Sequence, residues 1–245
     1  MAKVRGLRTR YLYGVVFWTR HIRPFLKGGD LNALTAAFLD NPLVNLTVTG
    51  LGGTDLEPGT PTTDEILDGI PALIRAFHGE PWRIRWRFDP LLKKFSSLQA
   101  FKRIATVMAD HGILTCTFSF PAYFSLKGDL TPAFEAAGIA RWREAEKGEW
   151  IARMVEIAVP LGVRLLSCAQ PDNLSLHPYI ESAQCIPKEV LERGHPDNLP
   201  LVLGRDPSQR AKCRCIASDD IGDYDTDRCL GGCAYCYSKA GGRFS

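Results

Sequence analysis

The 245-residue sequence lacks several features that would place it in a common functional class. No uninterrupted apolar stretch approaches the roughly 18 residues needed to cross a bilayer, and no apolar segment with a small-residue cleavage site follows the basic N-terminus. The 30 basic residues are spread along the chain instead of forming a block, so nucleic acid is not indicated as a partner. No Gly-x-Gly-x-x-Gly loop follows a predicted strand, which leaves a Rossmann dinucleotide site without support. We expect a cytoplasmic protein with no membrane span.

The composition is otherwise that of an ordinary globular protein. Apolar residues make up 45 % of the chain and charged residues 23 %, with a net charge of +3. The length suits one ordinary domain or one α/β barrel. The eight cysteines are the unusual feature, because a reducing compartment disfavours structural disulfides. Clustered thiols therefore indicate metal or redox roles.

Predicted strands and helices alternate along the chain. Five apolar runs predict buried strands, at residues 13–18, 43–49, 82–88, 113–120 and 163–168. Amphipathic patterns predict helices at residues 31–39, 62–79 with a bend at Pro71, 97–112, 132–159 with a break near Gly148, and 187–193. This order predicts right-handed βα units forming a parallel βα-repeat barrel, or a partial, open TIM-like barrel, over residues 1–204. Residues 205–245 are expected to form a cysteine-rich segment that binds a cluster and packs on this barrel.

Polar side chains and cysteines follow the carboxyl ends of the predicted strands, the edge that holds the active site in parallel α/β folds. The candidates are Trp18, Thr19, Arg20, Thr49, Gly50, Arg87, Asp89, Ser119, Cys168 and Gln170. Thr19, Arg87 and Asp89 are the catalytic candidates: Arg87 could hold a carboxylate, and Asp89 a ribose hydroxyl or an amine. The alternative is that Arg87 and Asp89 only pair with each other and hold a loop.

The strongest motif is a group of cysteines near the C-terminus. Cys229, Cys233 and Cys236 are separated by three and then two residues, and the intervening glycines allow the backbone to wrap closely around one soft-metal centre. Three thiolates on a [4Fe-4S] cluster leave one iron open for the amino and carboxylate groups of S-adenosylmethionine (SAM), and that cofactor then supplies the radical chemistry. Cys-x-x-x-Cys-x-aromatic-Cys, with Tyr235 as the aromatic residue, is the pattern by which radical SAM enzymes are known. Tyr235, Tyr237, Trp18 and Gly50 are the candidates for contacts with the cofactor.

The remaining cysteines leave alternatives open. Cys213, Cys215, Cys233 and Cys236 could form a structural zinc site, although this leaves Cys229 unused. Cys213 or Cys215 could instead complete a fully ligated cluster for electron transfer. Finally, Cys168 and Cys185 could join Cys213 and Cys215 in an auxiliary centre, either a second cluster or zinc. Under the first two alternatives the protein is a metal-binding protein and not an enzyme.

Several blocks of the sequence, in the same order, resemble the family known as domain of unknown function 1848 (DUF1848). They are Val16 to Thr19, Thr47 to Gly50 with Leu56 to Pro58, Trp86 to Pro90, Ser167 to Ala169, Gln209 and Arg210, and Cys213 through Tyr237. The family is noted for a radical-SAM-like cysteine cluster at its C-terminal end. The resemblance implies a fold and a cofactor but no substrate, because the family has no assigned reaction. Members of the family carry an extra N-terminal stretch before the block at Val16 to Thr19, so the resemblance implies that a first βα unit is missing here, which would leave the barrel open or the site incomplete.

These observations predict a radical SAM-type enzyme whose substrate and reaction the sequence does not reveal. Such an enzyme needs an electron donor, and a flavodoxin or a ferredoxin is the expected partner. The cluster cysteines follow the last predicted unit, whereas radical SAM enzymes normally carry them after the first strand. We therefore expect a permuted arrangement in which the C-terminal segment returns to the edge where the strands end.

Overall fold

The computed structural model describes residues 12–125, 128–221 and 229–236. These residues form a mixed α/β fold around a six-stranded parallel sheet, with strand order β1-β2-β3-β4-β7-β8. Its strands are β1 Val15–Thr19, β2 Pro42–Thr47, β3 Ile84–Arg87, β4 Thr115–Phe118, β7 Arg164–Ser167 and β8 Ile180–Ser182. A small antiparallel pair, β5 Phe124–Ser125 and β6 Gly128–Asp129, lies outside this sheet. Within the described ranges no pairing joins β8 to β1, so the sheet is open and a closed barrel is not confirmed.

The helices follow the strands in the predicted alternation. They are α1 Thr63–Asp68, α2 Ile70–Ala76, α3 Leu98–Asp110, α4 Thr131–Ala136, α5 Glu144–Ala158 and α6 Lys188–Gly194. A π-helical segment, Leu34–Phe38, precedes β2. Thr62 and Glu65 form the predicted capping box of α1, and Ser97 accepts hydrogen bonds from Gln99 and Ala100 at the start of α3. None of the helices in the described ranges has the length and hydropathy that a membrane span requires.

Two predicted helices are each two helices. Residues 62–79 were expected to bend at Pro71, but α1 ends at Gly69 and Pro71 lies in the first turn of α2, where a missing backbone donor costs nothing. The break in residues 132–159 comes before Arg143 and not near Gly148, which lies inside α5. Gly138, with φ of +69°, follows the end of α4, and Glu146 bonds back to the backbone N–H of Arg143 at the start of α5. The glycine after α4 and the cap at Arg143 therefore set the break, and Gly148 does not interrupt α5.

The two faces of the sheet differ in character. One face carries Leu46, Ile84 and Trp86, and α1, α2, α3 and α5 pack on it; the indole of Trp86 stacks on Phe101 of α3 at a centroid distance of 5.4 Å. The opposite face presents the buried polar side chains Asn45 and Arg85, because successive residues of a strand point to opposite faces.

The polar face of the sheet is covered partly by the chain that follows β8. A separate apolar cluster there combines Leu43 of β2 with Leu191 of α6 and with Cys213, Cys215 and Ile216. Helices therefore do not cover both faces alike, as they would in a doubly wound sheet. The chain after β8 instead lies on the polar face, where Asn45 donates to the Cys185 carbonyl and Cys215 packs in the cluster with Leu43.

Candidate metal centres at the strand ends

The carboxyl ends of the parallel strands bring together side chains that are distant in sequence. Arg20 follows β1, Asp89 follows β3 and Ser119 follows β4. The Ser119 hydroxyl donates a hydrogen bond to the Asp89 carboxylate, and Arg20 Nη2 donates to the Asp89 carbonyl oxygen at 3.3 Å. The predicted convergence of polar residues at this edge is therefore present for these three side chains.

A buried ion pair forms the centre of this edge. Glu57 is only 2 % exposed, and its Oε2 lies 2.9 Å from Arg20 Nη1. The Tyr235 hydroxyl donates to Glu57 Oε1 and accepts from Arg20 Nη2 at 2.9 Å, and the Thr49 hydroxyl donates to Glu57 Oε1 at 2.6 Å. Burial chiefly raises the pKa of Tyr235 well above its ordinary value. The phenol therefore remains a hydrogen-bond donor to the carboxylate.

The segment that contains Glu57 also holds the cysteine loop, residues 229–236. The Gly59 N–H donates to the Gly231 carbonyl at 3.0 Å, and the Ala234 N–H donates to the Leu56 carbonyl at 3.0 Å. A Cβ at Gly59 would lie 1.9 Å from the Leu230 carbonyl oxygen, so only glycine permits this close approach. Backbone bonds thus fix loop 229–236 against the loop after β2.

The three thiols of loop 229–236 lie close to one another. A Cβ placed on Gly231 would be 3.4 Å from Cys229 Sγ and 3.5 Å from Cys233 Sγ, so both sulfur atoms flank the same glycine. Burial raises the pKa of Cys233; Arg20 opposes this shift, while Cys229 and Cys236 reinforce it. Cys229 is exposed, Cys236 is half-buried and Cys233 is buried. The thiol group is therefore open to solvent on one side.

Four other cysteines form a second group, the four-cysteine site: Cys168, Cys185, Cys213 and Cys215. Cys168 Sγ lies 3.9 Å from Cys185 Sγ, the Cys185 N–H donates to Cys215 Sγ at 3.2 Å, and the Cys215 N–H donates to Cys213 Sγ at 3.5 Å. Hydrogen bonds with Cys168 and then Cys215 lower the pKa of Cys185 well below its ordinary value, whereas the pKa values of Cys168 and Cys215 are raised. Cys185 is therefore the thiol of this group that loses its proton most readily.

Arg87 connects the two cysteine groups. Its Nη1 donates to Cys185 Sγ at 2.8 Å and its Nη2 forms an ion pair with Asp89. Burial lowers the pKa of Arg87, but Asp89 and Cys185 outweigh that effect and raise it overall. Because Arg20 bonds to the Asp89 carbonyl and to Tyr235, an unbroken line of polar contacts runs from Cys185 to the loop of Cys233. Arg87 and Asp89 do pair with each other, but each also has another partner, Cys185 for Arg87 and Ser119 for Asp89.

Other predicted site residues have structural contacts. The Thr19 hydroxyl donates to the His21 carbonyl and accepts from the His21 N–H, closing the turn after β1. Gly50 has φ of +81°, and a Cβ there would lie 2.9 Å from Ala100, so backbone geometry and helix packing explain this glycine. The Gln170 side chain bonds to the backbone of Phe120. Trp18 is 48 % exposed.

Four further residues are relevant to the site: Tyr237, Glu57, Cys185 and Arg85. Tyr237 lies outside the described residues. Glu57 was not among the sequence-based site candidates, because its position between Leu56 and Pro58 in a loop gave no sign of burial. Cys185 could not be assigned to a strand end, because β8 is short and was not predicted. Arg85 was not among the sequence-based site candidates, because a basic residue inside a predicted strand gives no sign of burial.

The proposed four-cysteine zinc set that combined both C-terminal pairs is not brought together. Cys233 packs in a cluster with Leu56 and Tyr235, whereas Cys213 and Cys215 pack in a different cluster with Ile186. Over the described ranges no group of three or more histidine, cysteine, aspartate and glutamate side chains is arranged as a ready-made metal site. Any metal therefore requires the thiols to turn toward one centre.

The comparison with protein families gives one match over nearly the whole chain. A family model described as Domain of unknown function (DUF1848) matches residues 2–238. No curated protein and no solved structure matches the chain. The match includes both cysteine groups and all the strands described above.

Proposed function

Because the chain belongs to the DUF1848 family and carries three closely spaced cysteines near its C-terminus, we propose that it is an iron-sulfur protein resembling radical SAM enzymes. In this proposal Cys229, Cys233 and Cys236 hold a [4Fe-4S] cluster with one open iron. The bound cluster would supply one electron to cleave a carbon–sulfur bond of SAM and form a 5′-deoxyadenosyl radical. In this proposal the scaffold is an open, TIM-like barrel built on the parallel sheet, and loop 229–236 binds the cluster beside the loop after β2.

The observation that carries this proposal is the position of the Cys229 and Cys233 thiols beside Gly231, with Cys236 near enough to Cys233 to raise its pKa. All three thiols belong to one loop. The sulfur atoms of Cys229 and Cys233 lie 3.4 and 3.5 Å from the position that a Cβ on Gly231 would occupy. The missing side chain at Gly231 leaves space beside Cys229 and Cys233 that a Cβ would fill. Thiolate donors on a compact, glycine-containing loop suit a soft iron centre.

The surroundings of the loop favour a ligand on one side only. Cys229 is exposed and the neighbouring Leu230 is 81 % exposed, so a small organic molecule could reach this side. On the other side Tyr235 is 7 % exposed and bonds to Arg20 and Glu57. Tyr235, the aromatic residue of the motif, is thus an internal anchor that positions Cys233 and Cys236 on either side of it.

Among the sequence-based catalytic candidates, Asp89 retains a role in this proposal. Its carboxylate already pairs with Arg87 and accepts from Ser119, and its side chain is 15 % exposed at the strand ends. We assign it to a ribose hydroxyl or an amine of SAM. Asp89→Ala should weaken SAM binding measured by calorimetry, and unchanged affinity would reject this role.

The test is iron and sulfide analysis of anaerobically reconstituted protein, together with electron paramagnetic resonance after dithionite reduction. We expect a [4Fe-4S] signal that added SAM perturbs, and slow release of 5′-deoxyadenosine. The triple variant Cys229→Ala, Cys233→Ala, Cys236→Ala should lose both, whereas Cys116→Ala, which removes a buried cysteine of β4, should keep both. A cluster insensitive to SAM would indicate electron transfer instead, and zinc without iron in this loop would reject the proposal.

A further inference from the structure

The four-cysteine site is assembled from three separate segments of the chain. Cys168 follows β7, Cys185 follows β8, and Cys213 and Cys215 lie on the later segment that crosses the strand ends. The segment is held by the Asp206 N–H donating to the Cys215 carbonyl at 3.0 Å and by the Ile216 N–H donating to the Ile186 carbonyl at 3.4 Å. Four thiols from distant positions therefore share one partly buried location.

The spacing of Cys168 and Cys185 matches a single metal ion better than a cluster. In a tetrahedral zinc site with Zn–S bonds of about 2.3 Å, neighbouring sulfur atoms lie about 3.8 Å apart. Cys168 Sγ and Cys185 Sγ are 3.9 Å apart. The thiolates around an iron-sulfur cubane are farther apart, because each binds a different iron. Two backbone N–H groups also point at Cys213 and Cys215 sulfur atoms, as outer contacts of metal thiolates do.

Buried positive charge beside the four-cysteine site gives a second, independent observation. Arg85 is 5 % exposed, its Nε has no hydrogen-bond partner, and in the described part of the chain no carboxylate pairs with it. Its Nη2 donates to the Gln184 carbonyl at 3.3 Å, Cys185 and, more weakly, Cys215 are the groups that favour its charged form, and Arg87 donates directly to Cys185 Sγ. An unpaired buried cation is costly. Four thiolates around Zn²⁺ leave two negative charges in excess; Arg85 would balance one of them, and Arg87, whose charge is shared with Asp89, donates a hydrogen bond to Cys185 Sγ.

We propose that Cys168, Cys185, Cys213 and Cys215 bind one Zn²⁺ ion in a tetrathiolate site that is separate from loop 229–236. The thiols now form a row in the order Cys168, Cys185, Cys215, Cys213, so the two end thiols turn toward the middle when the ion binds. The ion joins the C-terminal segment to the ends of β7 and β8. It thereby holds in place the chain that leads to loop 229–236.

The test uses the full chain carrying Cys229→Ala, Cys233→Ala and Cys236→Ala, purified anaerobically, so that the other cysteine group cannot contribute metal. We expect one zinc per chain and no inorganic sulfide, and Co²⁺ exchange should give the absorption of tetrahedral thiolate coordination. Adding Cys185→Ala should remove the zinc, whereas adding Cys116→Ala should retain it. Zinc that is absent, or zinc that survives Cys185→Ala, would overturn the proposal, as would iron with sulfide or a Cys168–Cys185 disulfide found by mass spectrometry.

A second measurement does not depend on substituted protein. X-ray absorption at the zinc edge of the unsubstituted chain should show four sulfur ligands at about 2.3 Å. Nitrogen or oxygen ligands in the first shell would contradict the assignment. The zinc result is independent of the radical SAM proposal, because loss of SAM-dependent chemistry leaves the zinc count of the triple variant unchanged.

Discussion

The two cysteine groups are built in opposite ways. The thiols of loop 229–236 come from one short stretch of sequence, carry glycines between them and leave one side open to solvent. The four thiols of the four-cysteine site come from three segments, lie partly or fully buried and face two arginines. A local motif with an open side suits a cofactor that reacts, whereas a complete set of buried ligands suits an ion that holds the fold. The contrast predicts that the two centres respond to different substitutions.

The largest effect is expected from removing the carboxylate beneath loop 229–236. Glu57→Ala leaves Arg20 without its buried partner and Tyr235 without its acceptor, so the free energy of unfolding should fall by about 3–5 kcal/mol. Chemical denaturation measures this loss. Asp64→Ala removes an exposed ion pair with Arg103 and should cost at most about 1 kcal/mol. Equal losses in the two variants would mean that the buried pair does not support the loop.

A smaller change should separate loop 229–236 from its support without altering any charge. Gly59→Ala places a Cβ against the Leu230 carbonyl and should cost about 1–3 kcal/mol as well as most of the reconstituted iron. Gly148→Ala is the matched control, because a Cβ at that helical position meets nothing within 4 Å and should be neutral or slightly stabilising. Zinc at the four-cysteine site should be unchanged in both variants. Iron that stays bound in Gly59→Ala would show that the close backbone approach is unnecessary.

Substituting Arg87 should weaken zinc binding at the four-cysteine site more than iron binding at loop 229–236. Arg87→Met removes the donor to Cys185 and the partner of Asp89, so zinc affinity should fall about 10- to 100-fold, as expected for a residue that contacts a metal ligand. Competition with a zinc chelator measures the change. Arg164→Met removes an exposed arginine of β7 that pairs with Glu181, and it should leave the affinity unchanged. A larger loss of iron than of zinc in Arg87→Met would break the proposed division between the centres.

Ligands that are close together in the sequence could be predicted, whereas ligands that come together only through the pairing of strands could not. The spacing of Cys229, Cys233 and Cys236 is visible in the sequence because the ligands are local, and the alternation of strands and helices predicted the parallel sheet because each βα unit is also local. The association of Cys168 with Cys185 was only one of several alternatives, because it depends on how β7 and β8 pair. β8 has only three residues, too few for a periodic pattern, and so the sixth strand was missed.

Burial was the other property that the sequence did not reveal. Glu57 lies in a loop rich in glycine and proline, where a carboxylate is usually solvated, yet it is buried because Arg20 and Tyr235 reach it from distant segments. Arg85 follows the alternation of β3, but that alternation cannot show that its face is covered by the C-terminal chain. Charged residues become informative only once their tertiary partners are known.

The smallest predicted effect tests Tyr235 as an anchor. Tyr235→Phe keeps the aromatic ring in the motif but removes the hydroxyl that bonds to Glu57 and Arg20, which still pair with each other. The free energy of unfolding should fall by about 1.5 kcal/mol near neutral pH. Tyr179→Phe, at a position 61 % exposed, should change it little.

The stability that the Tyr235 hydroxyl contributes should depend on pH. Burial chiefly raises the pKa of Tyr235 above the ordinary value of 10.0, so folding favours the neutral phenol and its contribution to stability is fully present below about pH 10. That contribution is lost as the pH rises further, because the unfolded chain releases the phenolic proton first. The difference in melting temperature between the unsubstituted chain and Tyr235→Phe should therefore shrink above pH 10. A difference that grows with alkaline pH would show that the phenol ionises more readily in the folded chain, and the Glu57 contact would then not be the anchor of loop 229–236.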